Sequence, residues 1–177
     1  MKKNVIYLIV LICTTFHNIG FAQKRLLTDH EQTAFTTFNN LIQFVSEHPH
    51  NKAELNILFD KFIYFDYVLK DSSKMQTQRR VQLFDDLFLV FRSAIDSIGE
   101  RNIDALPIRF FQDDSIVYAP FTRELKENVP NIFVYFNKQY PNKPIGFILF
   151  EEKTHKILSW ILINQGGKHY FLTFNLL

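Results

Sequence analysis

The feature that most constrains this chain is Asn164-Gln165-Gly166-Gly167-Lys168, two glycines set between two apolar runs. A Gly-Gly pair supplies the positive φ that a two-residue hairpin loop needs at both central positions. With Gly166 and Gly167 as the loop, the register follows. Ile163 falls opposite Tyr170, Ile161 opposite Leu172, Ser159 opposite Phe174 and Ile157 opposite Leu176. Side chains alternate along a strand, so these eight share one face, face A. Face B then carries Leu158, Trp160, Leu162, His169, Phe171, Thr173 and Asn175.

Two further turns extend the pattern towards the N-terminus. A loop of two or four residues at Glu152-Lys153-Thr154-His155 puts Ile148 and Phe150 on face A, and Ile145, Phe147 and Leu149 on face B. Tyr140-Pro141-Asn142-Lys143 has proline at its second position, where a fixed φ suits a type I turn. A hairpin closed there sends Phe133 and Tyr135 to face A, and Ile132, Val134 and Phe136 to face B. Residues 131–177 thus read as four consecutive strands with both faces apolar at the centre. A one-sided antiparallel sheet would be polar on its second face, so each side needs a cover from elsewhere.

The first half of the chain changes period. Thr28-Asp29-His30-Glu31 is a capping box, and Phe35, Phe38, Leu41, Ile42 and Val45 follow at helical spacing until Pro49. Asn51 with Glu54 opens a second helix, whose stripe of Leu55, Leu58, Phe59, Phe62, Phe65 and Leu69 ends at Asp71-Ser72-Ser73. Ser73 with Gln76 caps a third, carrying Val81, Phe84, Leu87, Phe88, Phe91, Ile95 and Ile98, and Gly99 ends it by taking a left-handed conformation. Beyond Gly99, residues 108–111 and 115–119 are expected as two short strands around an Asp113-Asp114 turn, and 121–129 as a short helix or irregular crossover. The expected fold class is α+β: three N-terminal helices (about 28–99) packed on a C-terminal antiparallel sheet of four to six strands (about 107–177). The order of helices and then a curved sheet resembles the cone-shaped nuclear-transport-factor-2-like architecture in layout. The helices cover one face; candidates for the other are the curling sheet itself, the 106–130 segment, a partner chain or a ligand.

Residues 1–22 have the form of a signal peptide: Lys2 and Lys3, an apolar run over 5–13 too short to span a bilayer, and small residues at Gly20 and Ala22. Cleavage there leaves one domain, 23–177, that is exported to a bacterial periplasm or the exterior. Its basic and acidic residues then balance at 18 each, since Lys2 and Lys3 are lost from 20 against 18. A neutral chain without a basic run argues against nucleic acid and against an anionic membrane surface. No second apolar segment predicts a membrane span. Cys13, the single cysteine, lies in the leader, which excludes an internal disulfide and thiol catalysis. Bulky Ile12 before it argues against a lipoprotein cysteine. Phenylalanine is abundant, 20 residues, and core packing is the first reading of that excess.

No motif in the sequence identifies a reaction. His48-Pro49-His50 has metal-pair spacing but lacks evident third and fourth ligands. Asp85-Asp86, Asp113-Asp114 and Glu151-Glu152 are neighbours that point apart, whereas acid–base work needs two carboxylates facing a common cleft. There is no nucleophile-elbow Gly-x-Ser-x-Gly and no glycine-rich phosphate loop. No catalytic residue, metal site or cofactor is therefore expected. His169, Phe171, Thr173 and Asn175 on the last strand, with Trp160 and Phe147 on the same expected face, are the candidate ligand- or partner-binding residues. A few polar groups above an aromatic floor is the composition of a small-molecule pocket; a solvated edge strand is the plainer reading. The function expected first is a non-enzymatic exported protein-binding module, concretely a periplasmic immunity protein that neutralises an antibacterial toxin. A small-ligand-binding or catalytic cone-shaped domain, with Trp160 and His169 in its pocket, is the alternative, and a homodimer is a third option.

Overall fold

The computed structural model describes residues 26–48, 52–65 and 74–177. The expected leader with Cys13, and Pro49, His50, Asn51, Leu69 and Ser73, lie outside those residues. Three helices come first: α1 (Asp29–Glu47), α2 (Lys52–Lys61) and α3 (Lys74–Ile98). A strand, β1 (Ile103–Pro107), precedes a run of turns that includes a one-turn helix, α4 (Ser115–Tyr118). Then follow β2 (Ile132–Asn137), β3 (Pro144–Phe150), β4 (Ile157–Ser159), β5 (Leu162–Gln165) and β6 (Lys168–Phe171). Strands β1-β2-β3-β4 form one antiparallel sheet in that order, and β5-β6 form a separate two-stranded sheet. The fold is α+β, helices before sheet, as the periodicity predicts.

Local chemistry explains the boundaries. At α1 the Thr28 hydroxyl accepts from the Glu31 amide at 3.2 Å while the Glu31 carboxylate accepts from the Thr28 amide at 2.8 Å, so both partners of the capping box are engaged. Gly99 ends α3 at φ +82°, its amide bonded back to the Ile95 carbonyl. Gly166 and Gly167 take φ +61° and +78° and close β5 on β6, with Ile163 paired to Tyr170 as the glycine register requires.

Helix α2 is shorter than its stripe implies. It ends at Lys61, and Ile63 instead forms a parallel bridge to Ile157. The Tyr64 amide donates to the Ile157 carbonyl and the Ile157 amide to the Phe62 carbonyl, so this segment lies along the outer edge of β4. Phe62 and Phe65 are buried all the same. A stripe records burial, and an extended segment with two apolar side chains turned inward satisfies it as well as another helical turn.

The two strands expected around Asp113-Asp114 are not strands. Ile108–Phe111 is a 3-10 turn, and the Asp114 carboxylate caps α4 by accepting from the amides of Ile116 and Val117. The strand of this region lies just before, at β1, whose Ile103, Ala105 and Pro107 alternate inward.

The sheet has two covers. Face A meets the helices. Phe133, Tyr135, Ile148, Phe150 and Ile157 pack there with Phe38, Leu41, Leu58, Phe84, Phe88 and Phe91. Face B meets the chain between β1 and β2. Ile108, Phe111, Val117, Phe121 and Leu125 fold over Ile132, Val134, Phe136, Leu149 and Phe171. A cone-like sheet would leave a cavity there; here Ile108 and Phe121 are completely buried against it.

Two bulges change the expected faces. Phe136 pairs with Pro144 but Tyr135 with Gly146, leaving Ile145 as the extra residue, and Ile145 packs against the helix-side core rather than face B. Phe150 pairs with Ile157 but Leu149 with Ser159, so Leu158 is extra. Just beyond, the buried Ser159 hydroxyl accepts from the Ile161 amide at 2.9 Å and donates to the Leu172 carbonyl at 2.7 Å. This bracket breaks the expected single strand into β4 and β5. Trp160, expected on face B, turns to the helix side and packs on Phe84, Phe88, Phe91 and Phe174.

Candidate functional site

The side chains expected together on face B are dispersed. Phe171 is buried in the face B core. His169 sits on the β5–β6 hairpin with its Nε2 3.2 Å from the Asn164 amide nitrogen. Thr173 precedes the final turn, where its carbonyl accepts from the Leu176 amide. The Asn175 carbonyl accepts from the Arg80 guanidinium, 3.1 Å away. Trp160 and Phe147 do share a site, and it lies on the flank of α3.

That site is a groove of about 600 Å³. Leu87, Val90, Phe91 and Ala94 of α3 form one wall. Tyr135 of β2 with Ile145, Gly146 and Phe147 of β3 form the floor, and Trp160, Ile161 and Leu162 close the far side. The Ser159 bracket and the Ile145 bulge create it. Without them Trp160 and Ile145 would point to the other side of the sheet. Trp160 stacks on Phe91 with ring centres 4.5 Å apart, and Phe147 leans on Phe121 at 5.0 Å, so the groove runs between the two cores.

No lining residue carries a formal charge. The one ionisable group is the Tyr135 hydroxyl, whose pKa burial pushes up to about 12, so it stays a protonated donor at any physiological pH. Tyr135 is 6 % exposed as a whole, but its hydroxyl oxygen is not fully buried and makes no hydrogen bond to any described residue. The ring lies across Gly146: a Cβ there would come 2.7 Å from Tyr135 Cε1 and 2.8 Å from the hydroxyl oxygen. Glycine inside a strand is an available signal of such close approach, and Gly146 between Ile145 and Phe147 carried it; nothing in the sequence marked the hydroxyl itself.

Two polar clusters lie elsewhere. Glu31, 4 % exposed, receives Arg109 Nη2 at 2.7 Å as well as the Thr28 amide. Burial raises its pKa, but the Arg109 hydrogen bond and charge and the Thr28 contacts outweigh that, leaving it below the usual carboxylate value. Arg109 also donates to the Leu26 carbonyl and lies over the Phe110 ring, tying the start of α1 to the face B cover. Separately, His155 Nε2 lies 2.9 Å from His30 Nδ1. His155 has φ +56°, at the end of a turn in which Glu151 accepts from the amides of Lys153 and Thr154. Burial lowers the His155 pKa most and the charge of His30 adds to this, with Glu151 opposing.

Of the paired carboxylates, Asp114 and Glu151 serve as cap and turn acceptors. The His48 ring stacks on Phe44 at 4.3 Å with Nδ1 3.0 Å from the Phe44 carbonyl oxygen. Among the described residues no three His, Cys, Asp or Glu side chains are grouped so as to hold a metal ion, and no helix is long and apolar enough to cross a membrane. Neither a family model nor any curated protein or solved structure matches the chain.

Proposed function

We propose that this chain is an exported, non-enzymatic protein-binding module, in its concrete form a periplasmic immunity protein that neutralises an antibacterial toxin. The observation that carries this reading is the outer face of α3. Leu83 is 44 % and Val90 71 % exposed, seven residues apart with Leu87 between them, so they form one apolar strip that opens onto the groove. Contiguous exposed apolar surface on a soluble chain marks interaction sites. The balanced charge without the leader suits a partner recognised through apolar contact. The leader-like composition of residues 1–22 and the encoded hydrophobic start support export.

The test is capture of purified products of adjacent genes by the tagged protein, with Leu83→Glu/Val90→Arg as the control. Both positions are solvent-facing, so the fold should survive. We expect the double variant to lose binding by about 30-fold or more, as for two central contacts of an interface, and to lose any protection of cells against the captured toxin. Equal binding by variant and wild type would rule out this surface.

A further inference from the structure

We propose that the groove beside α3 is also a binding site for a small neutral amphiphile, a mostly apolar molecule carrying a single hydrogen-bonding group that pairs with the Tyr135 hydroxyl. This goes beyond the protein-binding reading and does not depend on it.

Two independent observations carry the proposal. The first is the lining. Its walls are aliphatic and aromatic, with Trp160 stacked on Phe91 at one side and Phe147 at the other, and no charged side chain among them. An ion entering would shed hydration and gain no counter-charge, so the occupant is neutral. The volume of about 600 Å³ falls within the range of about 300–1,000 Å³ usual for small-molecule sites. The second is Tyr135. The residue is 6 % exposed, and its hydroxyl has no hydrogen-bond partner among the described residues. The ring is buried while the hydroxyl oxygen keeps contact with solvent, so the hydroxyl is accessible as a donor and acceptor to a molecule in the groove that Tyr135 lines. It lies over Gly146, itself part of the groove, where a side chain of any size would collide with it.

The two observations also select among occupants. A peptide laid into the groove would bring a backbone donor and acceptor with each residue, and one hydroxyl cannot satisfy them. A molecule with an apolar body and one polar group matches the inventory. It is held by contact with Trp160, Phe91 and Phe147 and oriented by Tyr135.

The chain has one tryptophan, Trp160, so its fluorescence reports the groove directly. The experiment titrates the protein with 1-octanol and separately with octanoate at pH 7, following Trp160 emission, in the wild type, Tyr135→Phe and Ala94→Leu. We expect saturable octanol binding and octanoate at least about tenfold weaker. Tyr135→Phe keeps the ring and should bind octanol about three- to tenfold more weakly, one neutral hydrogen bond's worth, with its melting temperature unchanged or raised. Ala94→Leu fills the groove and should abolish the signal. The proposal is overturned if no saturation occurs below the solubility limit of octanol, if octanoate binds equally well, or if folded Tyr135→Phe binds octanol as the wild type does.

Discussion

The two faces of the central sheet are buried to a similar degree by covers of opposite kinds. Face A lies under three helices with regular apolar stripes, where aromatic rings pack in a continuous layer from Phe38 through Tyr135, Phe91 and Trp160 to Phe174. Face B lies under an irregular cover of 3-10 turns and one helical turn, yet Ile108 and Phe121 there are as completely buried as Phe84 on the helix side. Regular secondary structure is thus not needed to exclude water from a sheet. What the irregular cover requires is that its backbone groups find partners locally, and Asp114 at the start of α4 and the Leu125 carbonyl accepting from the Asn128 amide are examples of how it does so. It is also tied down from outside, by Arg109 reaching across to Glu31.

The sharpest challenge to this comparison is truncation of one fully buried ring on each side. Phe84→Ala and Phe121→Ala should each destabilise the protein by about 3–5 kcal/mol in chemical denaturation, the usual cost of removing a buried phenylalanine. Similar values would establish the two covers as equally close-packed. A loss below about 1 kcal/mol at Phe121 would mean that the irregular cover relaxes into the space and is the looser of the two. Next in size is Arg109→Ala, which leaves the Glu31 carboxylate buried beside Thr28 alone. We expect about 2–3 kcal/mol, less than the 3–5 kcal/mol of a fully buried pair because the guanidinium is 37 % exposed. The loss should shrink as the pH falls through the carboxylate range. Glu31 has a depressed folded pKa, so its stabilisation is present above the unfolded value near 4.5 and disappears as protonation sets in. An Arg109→Ala loss that is unchanged at pH 3 would show that Arg109 acts through packing on Phe110 instead of through charge.

The smallest effect concerns the His30–His155 contact, which joins the start of α1 to the β3–β4 turn. With the folded pKa of His155 depressed, its contribution is complete above the unfolded value of about 6.5 and is lost as the pH drops below it. Asparagine tolerates the left-handed backbone at this position. Thermal melts of His155→Asn between pH 7.5 and 5 should therefore be flatter than those of the wild type. Parallel curves would eliminate the pair as a source of acid sensitivity.

The helical cover was largely legible in the sequence and the irregular one was not, for a physical reason. Helix α1 announces itself through Thr28 and Glu31 and α3 ends at Gly99, where a single residue type solves a backbone problem. Gly166-Gly167 likewise determines the pairing of Ile163 with Tyr170. Alternation along β2 and β3 then sorts Phe133 from Val134 correctly, until a bulge inserts Ile145. Bulges and brackets depend on tertiary partners. Ser159 reads as a small polar residue inside an apolar run, and only the Leu172 carbonyl opposite shows why it turns the chain. The displacement of Trp160 follows from it, so the pocket expected from Trp160, His169 and Thr173 does not assemble. The groove that does form unites Trp160 and Phe147 with Tyr135, whose unpaired hydroxyl has no sequence signature. In the stretch before β2, Asp114-Ser115 carried a helix-cap signal that the short apolar runs around it masked.

The segment from Phe62 to Tyr64 has a consequence for how this molecule can meet another. It occupies the hydrogen-bonding edge of β4, so the Ile157 amide and carbonyl are already engaged. A foreign strand cannot extend the sheet at that point, which closes one common route to both peptide capture and uncontrolled aggregation. Recognition on this flank has to proceed through side chains, which makes it a matter of shape and apolar fit, free of the backbone pairing that would accept almost any sequence.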